Sequence, residues 1–245
     1  MIPLERPPAL GIRLKAVSKA FGAQLALAGV DLEVLPGSYV AVMGANGAGK
    51  TTMLKVISGL AAPTSGSVTI AGIEMRKAGP KLRAQVGFVS HETMLYADLT
   101  TRENLRFHAK LFGLPHPKDA AEHVAERLDV AHVLDKPVRS LSRGTRQRVA
   151  LARALIHDPS VILLDEPYTG LDEAAAASLS QLLEVLATPE RIVMLTLHDV
   201  VRALSGPRRL LVLSGGRVAL DEATDGSTDA MAETYLDLLR AEARR

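Results

Sequence analysis

Residues 44–51 read Gly-Ala-Asn-Gly-Ala-Gly-Lys-Thr and fit the spacing G-x-x-x-x-G-K-[ST]. Glycines at 44, 47 and 49 let the backbone curl and turn successive N–H groups inward, which makes an anion cradle. A lysine closing such a loop reaches phosphate oxygens, and the hydroxyl after it can ligate Mg²⁺. The expected phosphate contacts are Gly44, Ala45, Asn46, Gly47, Ala48, Gly49, Lys50, Thr51 and Thr52, with Thr51 also a metal ligand. The bland alternative is a Gly-rich turn before a core helix. The flanks oppose it. Apolar Tyr39–Met43 precedes the loop and helix-compatible Thr52–Ile57 follows it, so a helix N-terminus adds its dipole to the cradle.

A second group of chemistry-bearing residues follows Val161-Ile162-Leu163-Leu164, four apolar residues that predict a buried strand ending in Asp165-Glu166-Pro167. Carboxylates at the C-terminal end of a parallel strand lie where ligands bind in such sheets. Asp165 is expected to hold Mg²⁺ through water, and Glu166 to polarise the water that attacks a terminal phosphate. An Asp-Glu pair alone is commonly a solvated strand end. Beside a phosphate loop the chemical reading is the better one.

These residues need a scaffold. Residues 11–35 alternate in short runs and read as a β-hairpin, and 67–73 and 85–90 read as further strands. From Thr100 to about His157 the pattern is helical. Thr100 and Glu103 form a capping box opening a helix over 103–112, Pro117 opens another, and Ser142 precedes a third over 143–157 that Pro159 ends. A helix over 173–186, a strand over 192–197 and a hairpin turning at Gly215-Gly216 complete the pattern. The expected organisation is a loose arm over 1–10, one domain over 11–227 with a helical insertion at about 91–158, and a C-terminal helix over 228–245.

Composition excludes several functions. The 245 residues contain no Cys, which removes disulfides, thiolate metal sites and Cys nucleophiles. Aromatics are 3% with no Trp, and net charge is +2, so neither stacking platforms nor a basic face point to nucleic acid. No apolar run approaches the ~20 residues of a membrane span, and the N-terminus lacks a signal peptide's pattern, so a cytosolic protein is expected.

The order of these motifs resembles the ATP-binding subunits of ABC transporters over residues 11 to about 220. The resemblance rests on the phosphate loop, Leu141-Ser142-Arg143-Gly144-Thr145, Leu164-Asp165-Glu166-Pro167, Gly170-Leu171-Asp172 and Thr196-Leu197-His198-Asp199. It implies an α/β P-loop NTPase of the ABC ATPase type: a RecA-like parallel-sheet core, an antiparallel β subdomain and an inserted α-helical subdomain. It implies ATP and Mg²⁺ as ligands, a homodimer sandwiching two nucleotides, and a transmembrane permease that holds the subunit on the cytoplasmic face of the membrane.

The resemblance also implies roles. Ser142, Arg143, Gly144 and Thr145 form the signature that caps a nucleotide held by the partner subunit, with Arg143 and Thr145 departing from the common Leu-Ser-Gly-Gly-Gln. Asp172 belongs to the loop between the two sites, although Asp there is also a simple helix cap. His198 matches the switch histidine at the γ-phosphate. Phe21 matches the aromatic that stacks on adenine, with a core position as the even alternative. Aligning Val86–Ser90 on the family's switch strand puts His91 where Gln is usual, as a catalytic sensor of metal-bound water. Met94, Leu95 and Tyr96 match the stretch that receives the permease, or else pack into the helical insertion. His91 together with Leu-Ser-Arg-Gly is similar to the haem exporter subunits of cytochrome c maturation; drug, lipid and polysaccharide exporters share such combinations.

Overall fold

The computed structural model describes residues 11–90 and 92–224. The expected N-terminal arm, His91 and the C-terminal helix lie outside the described residues. The element order is β1 (Ile12–Phe21), β2 (Gln24–Val34), β3 (Tyr39–Met43), α1 (Lys50–Ile57), β4 (Ser65–Ile70), β5 (Ile73–Glu74), α2 (Pro80–Arg83), β6 (Val86–Val89), α3 (Thr101–Leu111), α4 (Pro117–Arg127), α5 (Arg143–Leu155), β7 (Val161–Leu164), α6 (Glu173–Leu186), β8 (Ile192–Thr196), α7 (Val200–Ser205), β9 (Arg209–Ser214) and β10 (Arg217–Ala223).

Two sheets result. One is antiparallel, in the order β2-β1-β4-β5. The other runs β10-β9-β3-β8-β7-β6 and is parallel from β9 to β6, with β10 antiparallel at its edge. The parallel strands are apolar in their interiors because both faces are covered, with polar Thr196, Arg209 and Ser214 confined to strand ends. Alternate side chains enter different cores. Ala41, Met43, Ile162, Leu164, Val193 and Leu195 pack toward the helical side. Val40, Val42, Val161, Leu163, Ile192 and Met194 pack toward α1 and the antiparallel sheet. Each such aliphatic side chain contributes about 1.5–3 kcal/mol on full burial, so a slip of register would be severe.

Local chemistry sets the helix starts. The Thr100 hydroxyl accepts from Glu103 N at 3.1 Å while the Glu103 carboxylate accepts from Thr100 N at 2.8 Å, a complete capping box. Asp172 accepts from Ala175 N at 2.8 Å and starts α6. The expected strand over 67–73 is instead β4, a turn at Ala71-Gly72 and β5, because both turn residues take positive φ and reverse the chain. The expected helix over 143–157 ends at Leu155, two residues earlier.

The register aligns the C-terminal ends of four strands. Val42 lies opposite Thr196, Leu164 opposite Leu195, and Val89 opposite Leu164. The loops after β3, β6, β7 and β8 therefore leave one edge of the sheet together, which is where parallel sheets bind ligands.

Candidate nucleotide site

The loop after β3 is shaped by backbone that only glycine fits. Gly44 has φ 142°, and a Cβ there would lie 2.2 Å from the Leu213 carbonyl oxygen. Gly49 has φ 106°, and its Cβ would lie 2.4 Å from the Ala26 carbonyl oxygen. Gly49 is also the N-cap of α1 and offers no side-chain acceptor, so no side-chain cap competes at that start. Lys50 is buried, and its ammonium donates to the carbonyls of Gly44 at 2.7 Å and Ala45 at 3.0 Å. A concave loop with a lysine turned into it suits a polyphosphate.

Asp165, just after β7, is met by Thr51 from the first turn of α1 and by Thr196 from the end of β8. Its carboxylate is 2% exposed. The hydroxyls of Thr51 and Thr196 both donate to Oδ1 at 2.9 Å. A buried carboxylate beside a threonine hydroxyl offers the hard oxygen ligands Mg²⁺ prefers. Among the described residues no group of three or more His, Cys, Asp or Glu could enclose a metal alone.

Glu166 lies beside Asp165 in an unusual conformation. Its φ of 51° is left-handed, a region that costs a non-glycine residue about 1–2 kcal/mol. The Thr196 hydroxyl holds it there by accepting from Glu166 N at 2.7 Å. The Glu166 carboxylate meets His198 Nε2 at 2.7 Å and accepts from the Thr169 hydroxyl at 3.2 Å. The strain is the kind that persists where surroundings fix a side chain for a task. Thr196 thus orders both carboxylates. In the sequence it appeared only within the run ending in His198, and nothing local marked it.

Phe21, residues 46–52 and Glu166 line one open cavity of about 280 Å³. Phe21 is 54% exposed, which removes the core alternative, and the Lys19 ammonium sits 4.9 Å from its ring centre. The signature residues lie apart from this cavity. Ser142 caps α5, accepting from Thr145 N at 3.2 Å, and its hydroxyl lies 2.8 Å from that of Thr145. Arg143 lies against Gly170 and lines, with Arg146, Glu166 and Thr169, an adjoining opening of about 430 Å³ that shares Glu166 with the first. Gly144 faces Leu171 and Ala175. Met94 and Tyr96 are exposed while Leu95 packs on the helical-side core, so the two readings of that run divide by residue. Tyr96 and Phe107 meet edge to face, with ring centres 5.4 Å apart.

Two histidines of the helical region lie under cover. Burial holds the His108 and His157 imidazoles down to a pKa of about 4, so both are neutral at neutral pH. Arg153 is buried beside them and donates to the Phe88 carbonyl at 2.6 Å.

A phosphate-shaped loop, a buried acid and a strained glutamate on one edge of a parallel sheet define an α/β nucleotide-binding protein of the P-loop type. The comparisons narrow the class. The sequence profile of the ABC transporter family matches residues 27–169. The chain is similar to the maltose/maltodextrin import ATP-binding protein MalK of Escherichia coli (strain K12), 37% identical over 213 residues, covering 85% of this chain and 57% of that protein. It is similar also to the Nod factor export ATP-binding protein I of Cupriavidus metallidurans, 36% identical over 209 residues, covering 84% of this chain and 69% of that protein. Among solved structures, the dimeric structure of MJ0796, a bacterial ABC transporter cassette, has a TM-score of 0.80 at 31% identity, covering 88% of this chain and 99% of the other. The chain therefore belongs to the ABC transporter family, as an ATP-hydrolysing cassette. It spans just over half the length of the MalK proteins it matches.

Proposed function

We propose that the chain is the ATP-hydrolysing subunit of an ABC exporter, that it closes as a homodimer around two Mg·ATP, and that it drives a separate transmembrane permease from the cytoplasmic face. The observation that carries the hydrolytic reading is the contact between Glu166 and His198, 2.7 Å, beside a Thr51–Asp165 pair. In this reading residues 44–52 bind the phosphates, with Lys50 at the β- and γ-oxygens. Thr51 and Asp165 hold Mg²⁺, which when bound neutralises charge between the β- and γ-phosphates. Glu166 accepts the proton of the attacking water, and His198 fixes the carboxylate and contacts the γ-phosphate. Phe21 stacks on adenine. Ser142, Arg143, Gly144 and Thr145 close over the partner's nucleotide, and the loop at Asp172 links the two sites. His91 senses metal-bound water, and exposed Met94, Tyr96 and Phe107 receive the permease.

Export of haem for cytochrome c maturation is the finer reading, supported by His91 with Leu141-Ser142-Arg143-Gly144; another exporter of drugs, lipids or polysaccharides is the alternative. A relative that exports Nod factor agrees with export in general. The MalK relatives favour a second reading, an importer subunit. Among the described residues no helix is long and apolar enough to cross a membrane, in keeping with a separate permease.

Glu166→Gln tests the hydrolytic core. ATP turnover should fall at least 10²-fold, and the variant should elute as a dimer with Mg·ATP, because only the proton acceptor is lost. Turnover at the parental rate would exclude Glu166 as the base. Direction is tested in inverted membrane vesicles from a host lacking the chain. Restored ATP-dependent haem uptake supports haem export; maltose leaving preloaded inverted vesicles on ATP addition supports the importer.

A further inference from the structure

His198 must be placed by something other than packing. Its side chain is 45% exposed and that of Glu166 27%, yet the two meet at 2.7 Å across loops from different strands. Between β8 and α7 only residues 197–199 intervene; buried Leu197, which donates to the Val42 carbonyl at 3.0 Å, fixes the backbone on one side of His198, and the seat of α7 fixes it on the other. α7 is a weakly anchored element: six residues with one buried side chain, Ala203, and Val200 and Leu204 partly covered.

Arg202, four residues beyond His198, supplies a polar anchor. Its Nη2 donates to both carboxylate oxygens of Glu173, at 3.1 and 3.3 Å. Its Nε lies 3.4 Å from Asp199 Oδ2, and its guanidinium carbon stands 5.1 Å from the Tyr168 ring centre. Two of the partners are themselves held, while the Glu173 side chain is exposed. The Tyr168 hydroxyl lies 3.0 Å from that of Ser180 in α6, and Asp199 caps α7 by accepting from Val201 N at 2.9 Å. Each partner neighbours a site residue in the chain: Glu173 follows Asp172, Asp199 follows His198, and Tyr168 lies two beyond Glu166. A planar guanidinium can bond sideways to carboxylates and cover a ring at once, and a lysine ammonium in its place can still pair with the carboxylates.

We infer that Arg202 is a positioning residue that ties α7 to α6 and to Tyr168 and thereby keeps His198 in reach of Glu166. The inference rests on the proposed roles of Glu166 and His198. It adds a residue that lines the opening beside Glu166 and His198 and bonds to Glu173 and Asp199. Its loss acts on turnover and leaves the phosphate loop untouched.

The test is steady-state ATPase kinetics on the full chain with Mg·ATP. Arg202→Ala should lower kcat about tenfold with KM and nucleotide Kd within about twofold, the signature of lost positioning for the reacting state. Its melting midpoint should move by about 2 °C, as for a partly exposed ion pair. Arg202→Lys keeps a charge between Glu173 and Asp199 and should recover at least half of the lost turnover, even if the alanine variant is thermally weakened. In a His198→Ala background, Arg202→Ala should have no further effect on kcat. Unchanged kcat in Arg202→Ala, a raised KM alone, no recovery by Lys, or an equal loss in both backgrounds would overturn the inference. A His198→Ala variant at the parental rate would instead overturn the proposed role of His198, and the positioning argument with it.

Discussion

The starts of α1 and α5 both point backbone N–H groups at open space, but they are finished by opposite devices. α1 is capped by Gly49 in a left-handed conformation, without a side-chain acceptor, and the residue after the cap is the buried Lys50. α5 is capped by Ser142, whose hydroxyl accepts from Thr145 N, and the residue after that cap is the exposed Arg143. No acidic residue stands in the first turn of either. A helix start without a side-chain cap is costly unless something else accepts its donors. The start of α1 thus leaves its donors to other partners, as the proposed phosphate site requires. α5 is satisfied at home and can meet an anion only as a second use of the same atoms. The difference agrees with one helix holding a nucleotide continuously and the other engaging only when a second subunit closes.

The strongest way to break this contrast is at Lys50. Lys50→Ala should weaken Mg·ATP binding by about 10²-fold in calorimetry on the isolated chain, because charge-assisted contacts to phosphate are lost. Unchanged affinity would remove α1 from its place in the contrast.

A smaller effect concerns what anchors the far end of α5. His157 stacks on Phe112 with ring centres 3.7 Å apart, and its pKa is lowered to about 4, chiefly by burial. An imidazole whose folded pKa lies below its unfolded value of about 6.5 favours unfolding once the unfolded chain takes up the proton. Stability should be full above about pH 6.5 and fall as pH drops toward 4, by about 2 kcal/mol at pH 5. Urea titrations at pH 7 and pH 5 measure this, and His157→Phe should flatten the dependence. A parental slope in that variant would place the titration elsewhere, with His108 the next candidate.

The finest probe is the cap itself. Ser142→Ala should cost about 1 kcal/mol in urea unfolding and leave the nucleotide Kd of the isolated chain unchanged, because the cap serves its own helix there. A weaker Kd in the isolated chain would mean that α5 also serves the nucleotide of its own subunit.

Sequence reading succeeded where one residue type has one physical use. The run Val161–Leu164 could only be a strand buried on both faces, and Asp172 before Glu173–Leu186 marked a helix start to the residue. The Thr100–Glu103 box was legible because both halves lie within one turn. α2 and α7, of four and six residues, are too short for any period to emerge. Within the site, Thr51 and Asp165 stand 114 residues apart, and only the motif order suggested that they meet. Thr196 and Arg202 had no such guide. Each acts through partners distant in the chain, and each is of a type that usually needs no explanation at its position.

The left-handed backbone at Glu166 sets a limit on how this position can drift. Residues that tolerate such a φ are glycine and, next, asparagine and aspartate. Each relaxes the turn, and each shortens or removes the carboxylate that meets His198. Selection for a more comfortable chain and selection for turnover therefore pull in opposite directions at one site. Substitutions at Glu166 that relax the turn should stabilise the fold, and every one of them should arrive as a slower ATPase.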